Sequence, residues 1–306
     1  MNFTIIFLTK GRTEIYKSLS SVFKITEYQI NLKLIIIDGN DDNRVEDIIN
    51  EKFSKYKNYV KIFKQKNKGF MSGCFEATNL VDTKFFTFMY DDDELSPYYG
   101  ELVREALISN QIFYSYGKVS SFSSTFKFLK PSLNYEPANQ ILSNYFSLNF
   151  GKRLIPPNSP ICSIFKTEIL KDWKKILLDY CQKDKHFYFY LLEKNIGPDL
   201  LLYLLSLHNE ENNIIIHSKS YIAKFSSHKN SMSIMYGNLQ LGIGYLYARI
   251  IFFDRYKQTI NNLKRIKFKY YIIIKILFTI LRGNFYLNKF KKKTINHFFS
   301  LYKSKI

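Results

Sequence analysis

Four short apolar runs punctuate the chain up to Tyr90: Phe3 to Leu8, Lys33 to Ile37, Val60 to Phe63 and Phe85 to Tyr90. Each has the length and the Ile, Val and Phe content of a buried strand. Between them, apolar residues recur at spacings of three and four. Ile15, Leu19, Val22 and Phe23 form one such set, Val45, Ile48, Ile49 and Phe53 a second, and Phe70, Cys74 and Ala77 a third. Strand and helix therefore alternate, which predicts an α/β fold built on a doubly wound, mostly parallel sheet with flanking helices. Parallel strands bring their carboxyl ends to one edge, where open α/β sheets bind ligands. Thr9, Asp38 and the acids after Tyr90 are expected on that edge.

The fourth run ends in Asp91-Asp92-Asp93-Glu94. Ser96 and Pro97 read as an N-cap and a first helical residue, which places the acids in a turn between strand and helix. Four adjacent carboxylates repel one another, and hard divalent ions prefer such oxygens. The same acids also suit a solvated turn, where Glu94 would offset the helix N-terminus by about 0.3–1 kcal/mol. The chain has no GxGxxG and no GxxxxGK[ST], so a bound phosphate would be met by a metal or by basic side chains.

Gln111 to Val119 and Ile161 to Phe165 read as further strands, and residues 120 to 150 show no clear period. Arg153 to Pro160 is a rigid loop, Thr167 caps a helix, and Phe187 to Glu193 is helical. Asn195 to Asp199 breaks that helix, Leu200, Leu201, Leu204 and Leu205 mark the next, and Tyr221 to Phe225 is a strand before the polar loop Ser226 to Ser233. Three segments result: 1–110, 111–235 and 236–306.

At 306 residues and 46% hydrophobic, the chain can bury a sizeable core. Its net charge of +19 is uneven: no Asp or Glu follows Asp254, and 14 Lys or Arg do. The tail thus carries +14, leaving +5 for everything before it. Within the tail, Tyr256, Ile260, Leu263, Ile266, Tyr270, Ile273, Leu277 and Ile280 fall at helical spacing. This predicts a basic amphipathic helical extension, suited to an anionic membrane surface or to packing on the main domain. No nucleic-acid motif accompanies the charge. Cys74, Cys162 and Cys181 include no CxxC pair, which argues against a zinc site or a disulfide framework and fits a reducing compartment. No uncharged run approaches the roughly 18 residues of a membrane span, and the first residues lack a basic leader, so a cytoplasmic protein, peripheral on the inner membrane face, is expected.

The order of these elements resembles the GT-A fold, Rossmann-like, of family 2 inverting glycosyltransferases. Phe3 to Thr9 resembles the opening strand and turn. Leu34-Ile35-Ile36-Ile37-Asp38-Gly39 resembles the strand whose terminal Asp meets the nucleotide base. Asn67-Lys68-Gly69 resembles the helix start before the metal strand, and Phe88 to Pro97 resembles the DXD segment. These stretches cover about a third of the chain. Asn158 to Cys162 resembles the loop lining the donor sugar, Gly197-Pro198-Asp199 the segment carrying the base, and His228 to Ile234 the loop closing over diphosphate and metal. Leu8 stands where Pro is usual, Gly73-Cys74-Phe75 where Ala-Arg-Asn is usual, and Pro198 where Glu is usual.

The resemblance implies a hexosyltransferase-type, inverting enzyme using Mn²⁺ or Mg²⁺ and a nucleotide-sugar donor, a UDP-sugar first. The acceptor would be a glycan or lipid-linked sugar in cell-surface polysaccharide assembly (capsule, O-antigen or lipooligosaccharide). Residues 1–110 would bind the donor and 111–235 the acceptor. Asp199 would be the catalytic base. Thr9, Asp38, Lys68, Asp91, Asp93 and Pro160 would line the donor, with Arg153 offsetting phosphate charge. The register of Leu95-Ser96-Pro97 makes Asp92 the metal ligand, whereas a literal DXD uses Asp91 and Asp93; His228 would join them. One rival is a nucleotidyltransferase of related fold, although Thr9-Lys10-Gly11-Arg12 has one glycine where a G-x-G-T-R loop is wanted. The other is a non-catalytic membrane- or nucleic-acid-binding protein.

Overall fold

A computed structural model describes residues 1–12, 14–121, 126–146, 159–227, 232–259, 262–284, 296–298, 300–301 and 304. The chain divides into two compact units. The first holds Met1–Pro137, Pro157–Asp172 and Asn212–His228, and the second Ala138–Pro156, Trp173–Glu211 and Lys229–Ile306.

All strands of the described residues lie in the first unit. They are β1 (Asn2–Thr9), β2 (Asn31–Asp38), β3 (Val60–Lys64), β4 (Phe85–Tyr90), β5 (Asp93–Leu95), β6 (Phe113–Ser121), β7 (Asn134–Pro137), β8 (Ser163–Lys166) and β9 (Ile214–Ser227). Their order is β3-β2-β1-β4-β8-β6-β9-β5, with β7 paired to β9. The four expected strands are all present, and β3, β2, β1 and β4 run parallel. Beyond them, β8 runs antiparallel to both β4 and β6, while β6 and β9 are parallel. β1 is buried at every position after Asn2. Such a strand is covered on both faces, which is why it reads as an unbroken apolar run. Helices α1 (Ile15–Phe23), α2 (Arg44–Lys52), α3 (Phe70–Ala77) and α4 (Tyr99–Ser109) connect the strands. Ile15, Leu19, Val22 and Phe23 of α1 join the same core as Ile5, Phe7 and Ile36.

The segment after β4 departs from expectation. The acids are not all in a turn: Asp93 and Glu94 enter β5, opposite Phe225 and Lys224 of β9. The Ser96 amide continues this pairing with a 2.8 Å bond to the Ile222 carbonyl. Extended pairing therefore takes the residues that a helix start would need. Helix α4 begins only at Tyr99, and the Ser96 hydroxyl accepts from the Tyr98 amide at 3.2 Å, shaping the preceding turn. Glu94, in β5, is not a first-turn acid; that place belongs to Glu101.

The second unit is helical. It contains α5 (Ala138–Tyr145), the later part of α6 (Glu168–Lys183), α7 (Lys185–Phe187) running into a π-turn over Tyr188–Glu193, α8 (Pro198–Asn209), α9 (Met232–Tyr256) and α10 (Asn262–Asn284). Leu200, Leu201, Leu202, Tyr203, Leu204, Leu205 and Leu207 are all buried, so α8 is apolar all round and forms the unit's centre. Of the expected polar loop, Ser226 and Ser227 end β9, Met232 and Ser233 begin α9, and residues 228–231 lie outside the described residues; α9 runs on to Tyr256. Ile266, Tyr270 and Leu277, members of the expected apolar stripe of the extension, are 50%, 59% and 50% exposed. Phe268, Tyr271, Ile272 and Ile276 are buried instead. The Phe268 ring stacks on Phe146 at 3.8 Å, and Tyr271 meets Tyr145 at 6.1 Å. Phe268 and Tyr271 thus find ring partners in Phe146 and Tyr145, and such ring contacts add to the apolar area buried. Ile260 lies outside the described residues. Among the described residues, no helix is long and apolar enough to cross a membrane.

Candidate active site

Strand register assembles the predicted edge in the first unit. Thr9 pairs with Asp38, and Leu8 with Tyr90, so Thr9 stands level with Asp38 on one side and Asp91 on the other. The Thr9 hydroxyl donates to Asp91 Oδ2 at 2.8 Å, and the Lys10 amide donates to the same oxygen at 2.8 Å. The Gly11 amide in turn donates to Thr9 Oγ1 at 2.8 Å. Gly11 has φ +63°, a conformation that suits glycine and lets the turn fold back on itself. Asp91 thus acts as the clamp that shapes the β1 turn.

The three aspartates differ in environment. Asp91 and Asp93 are buried, whereas the Asp92 side chain keeps 18% exposure. Arg12 pairs with Asp92 Oδ2 and lies 3.6 Å from Asp91 Oδ1. Burial raises the Asp91 pKa, opposed by the Lys10 amide, Arg12 and the Thr9 hydroxyl. Asp93 is pushed well up, first by burial and then by the charges of Asp92 and Asp91, although the Ser226 amide stabilises its ionised form. Cys162 feels Asp93 as well: burial and then that charge push its thiol well up. Arg12 faces Asp91 and Asp92 together, and an added cation would further favour their charged forms. Among the described residues no three His, Cys, Asp or Glu side chains form a ready-made cage. Mg²⁺ and Mn²⁺ sites that also hold phosphate need only one or two protein carboxylates, so this donor set fits such an ion.

Asp38 is 1% exposed at the end of β2. Its Oδ2 accepts from Lys64 Nζ at 2.8 Å and its Oδ1 from the Asn40 amide at 3.0 Å. The Gly39 amide donates to the Thr9 carbonyl at 2.9 Å, locking the two strand ends together. Lys68 is exposed on the loop before α3, where Gly69 takes φ +107° as the helix N-cap. Pro160 is buried at the start of a 3₁₀ turn (Pro160–Cys162), and its carbonyl accepts from the Thr87 hydroxyl of β4 at 3.1 Å. Thr9, Asp38 and Asp91–Asp93 therefore share one edge, with Pro160 tied to the middle of β4. Arg153 and His228 lie outside the described residues.

Asp199 belongs to the second unit. Gly197 caps α8 at φ +105°, Pro198 is the first helical residue, and Asp199 follows. A Cβ on Gly197 would sit 2.5 Å from the Gly244 carbonyl oxygen, and one on Gly244 would sit 2.5 Å from that of Ile196. Two facing glycines thus let α8 and α9 approach at backbone contact. The indole of Trp173 donates to the Pro198 carbonyl at 2.8 Å, fixing the turn from the other side. Asp199 is half-buried, and burial lifts its pKa to about 6 against the stabilising amides of Leu200, Asp199 and Gly197 and the Tyr245 hydroxyl. A carboxyl near 6 is suited to accept a proton at neutral pH.

Tyr245, Arg249 and Tyr145 continue from Asp199. The charge of Asp199 pushes the Tyr245 pKa up, so its hydroxyl stays a donor. Arg249, one turn along α9, donates from Nε to the Tyr145 hydroxyl at 2.7 Å, with its guanidinium 5.6 Å from that ring. Burial opposes its charge, yet Tyr145, Tyr271 and Tyr245 hold its pKa above the ordinary value. Sequence reasoning assigned no role to Arg12, Lys64, Tyr245 or Arg249. Arg12 had a signal, since a basic residue just past β1 faces the acids just past β4 once those strands are paired. The i, i+4 spacing of Tyr245 and Arg249 carries no such pointer.

Residues 4–174 match the sequence profile described as Glycosyl transferase family 2. In structure the chain is similar to Staphylococcus aureus TarS 1-349 crystallised with UDP-GlcNAc. That likeness has a TM-score of 0.62 and 14% identity, covering 96% of this chain and 78% of the other. The same protein crystallised with UDP gives a TM-score of 0.57 and 12% identity, covering 95% and 77%. No curated protein matches by sequence.

Proposed function

Because the chain belongs to glycosyl transferase family 2, we propose that it moves a hexosyl group, with inversion, from a UDP-sugar to a glycan or lipid-linked acceptor in cell-surface polysaccharide assembly. The observation that carries this reading is the row Asp38, Thr9 and Asp91–Asp92 at the carboxyl ends of adjacent parallel strands, with Arg12 over the acids. The donor class is supported by the UDP-GlcNAc in the TarS crystal, a protein that shares this fold.

In the reaction the acceptor hydroxyl attacks the anomeric carbon on the face opposite the diphosphate. Asp199, ionised above about pH 6, takes the hydroxyl proton. Tyr245 holds the carboxylate by its hydrogen bond. On the donor side, Asp38 accepts from the base N–H beside Thr9, while Lys64 and the Asn40 amide fix its carboxylate. Pro160 lines the sugar, and Lys68, Arg153 and Arg12 offset phosphate charge. Asp92, the most exposed of the three acids, is the residue that would hold a divalent ion, with Asp91, Asp93 and His228 supporting it. When bound, such an ion supplies Lewis-acid stabilisation of the leaving diphosphate.

The test is a panel of nucleotide sugars with Mn²⁺, read as nucleoside diphosphate release. Turnover is expected with a UDP-sugar, lost on chelation and in Asp92→Ala and Asp199→Ala. No turnover with any donor, together with no metal-dependent UDP binding, refutes the proposal.

A further inference from the structure

Helix α10 carries two apolar faces, and the second unit uses only one. Phe268, Tyr271, Ile272 and Ile276 are buried, whereas Ile266, Tyr270 and Leu277 are at least half exposed. Ile273 lies between them in sequence and is half-buried. At 3.6 residues per turn, positions 266, 270, 273 and 277 form one line of about 16 Å along the helix. Phe278, 53% exposed, and Ile274 widen this outer face. Exposed Arg265 and half-buried Lys269, four residues apart, lie along one flank of the line, and exposed Lys267 lies on the other.

We propose that the outer face of α10 docks flat on an anionic bilayer surface. Ile266, Tyr270, Ile273 and Leu277 enter the headgroup–acyl boundary, and Arg265, Lys267 and Lys269 reach lipid phosphates. Two observations commit the face to this occupant. The first is charge complementarity: the chain after Asp254 has 14 Lys or Arg and no acid. Each basic group near an anionic leaflet adds about 1 kcal/mol of attraction. A second copy of the chain would set this basic stripe against itself in a two-fold contact, which repulsion opposes. The second is composition: aliphatic side chains with tyrosine among them, flanked by long basic stems, suit a wet–apolar boundary. Nucleic acid would engage the charges and leave the aliphatic line in water. The inference goes beyond the transfer reaction and does not depend on it.

The full chain is sedimented with vesicles of neutral phosphatidylcholine or of phosphatidylcholine with one quarter phosphatidylglycerol, at low and high salt. Binding is expected with the anionic vesicles and is expected to weaken in high salt. Ile266→Glu with Leu277→Glu should lower it by at least about tenfold while the thermal midpoint stays unchanged, because both side chains are exposed. Should that variant fold poorly, Leu277→Trp reads the same contact by quenching from brominated lipid. The one native tryptophan, Trp173, is 2% exposed and contributes little to that quenching. Equal binding by the double variant, equal binding to neutral vesicles, or an unquenched introduced indole overturns the proposal. So does absence of vesicle binding alongside a dimer that the double variant dissociates.

Discussion

Replacing Asp199 by asparagine tests the start of α8 without knowledge of donor or acceptor. Burial lifts the Asp199 pKa from 3.8 to about 6, so the folded chain holds this proton more tightly than the unfolded chain does. The associated stability is fully present below pH 3.8 and is lost as pH rises through 6. At about 1.36 kcal/mol per unit, ionised Asp199 costs the folded state about 3 kcal/mol at pH 8, half of it already lost by about pH 5. Asparagine keeps an acceptor for the Tyr245 hydroxyl and the α8 amides and carries no charge to desolvate. Asp199→Asn should therefore gain up to about 3 kcal/mol over wild type at pH 8 and little at pH 4. It should lose turnover at both, the trade expected of a group held in place for chemistry. Urea unfolding of the two proteins at pH 4, 5, 6, 7 and 8 reads the difference directly. A difference that stays flat across that range, or an Asp199→Asn protein less stable than wild type at pH 8, refutes the reasoning.

Tyr245→Phe removes a hydroxyl that stabilises ionised Asp199. The acidic limb of kcat/KM should move to higher pH, and a limb that stays put with only kcat lowered would show that Tyr245 does not act through the base. Lys64→Met leaves buried Asp38 with the Asn40 amide as its donor. Because Lys64 is itself 46% exposed, the expected cost is about 1–3 kcal/mol in urea unfolding, that of a buried acceptor losing one charged donor, and a loss below about 0.5 kcal/mol rejects the pairing. Gly197→Ala forces a side chain into φ +105° and against the Gly244 carbonyl. It should cost about 2 kcal/mol or more; an unchanged thermal midpoint would mean that α8 and α9 do not meet there. Asp91→Ala removes the acceptor shared by the Thr9 hydroxyl and the Lys10 amide, at about 1–3 kcal/mol. Stability equal to wild type would deny Asp91 its clamp role.

Asp91-Asp92-Asp93 shows how far a local reading reaches. That acids follow the fourth strand, level with Thr9 and Asp38, was legible because β1, β2 and β4 are continuous apolar runs with one way to pair. Which acid stays accessible was not legible. Asp93 is withdrawn by β5 pairing with β9, a contact between residues more than 120 positions apart. Asp91 is withdrawn by the β1 turn. Asp92 is the acid of the three that keeps the most exposure, 18% of its side chain. The tail teaches the opposite lesson. From Leu263 on, the three-and-four spacing falls within α10, which turns Phe268, Tyr271, Ile272 and Ile276 inward and leaves Ile266, Tyr270 and Leu277 outside. Helical period reports that a face exists; the neighbours available to it decide which face is covered.

By itself, the sequence determined the parallel strands, their common edge and the uneven charge, since these follow from unbroken apolar runs, turn residues and composition. Tertiary structure alone decided the pairing of Arg12 with Asp92, the Lys64 hold on Asp38, the Tyr245 and Arg249 support behind Asp199, and the outward face of α10. Each depends on groups distant in sequence or on which of two faces finds a partner, and desolvation and hydrogen-bond geometry exist only once those groups have met.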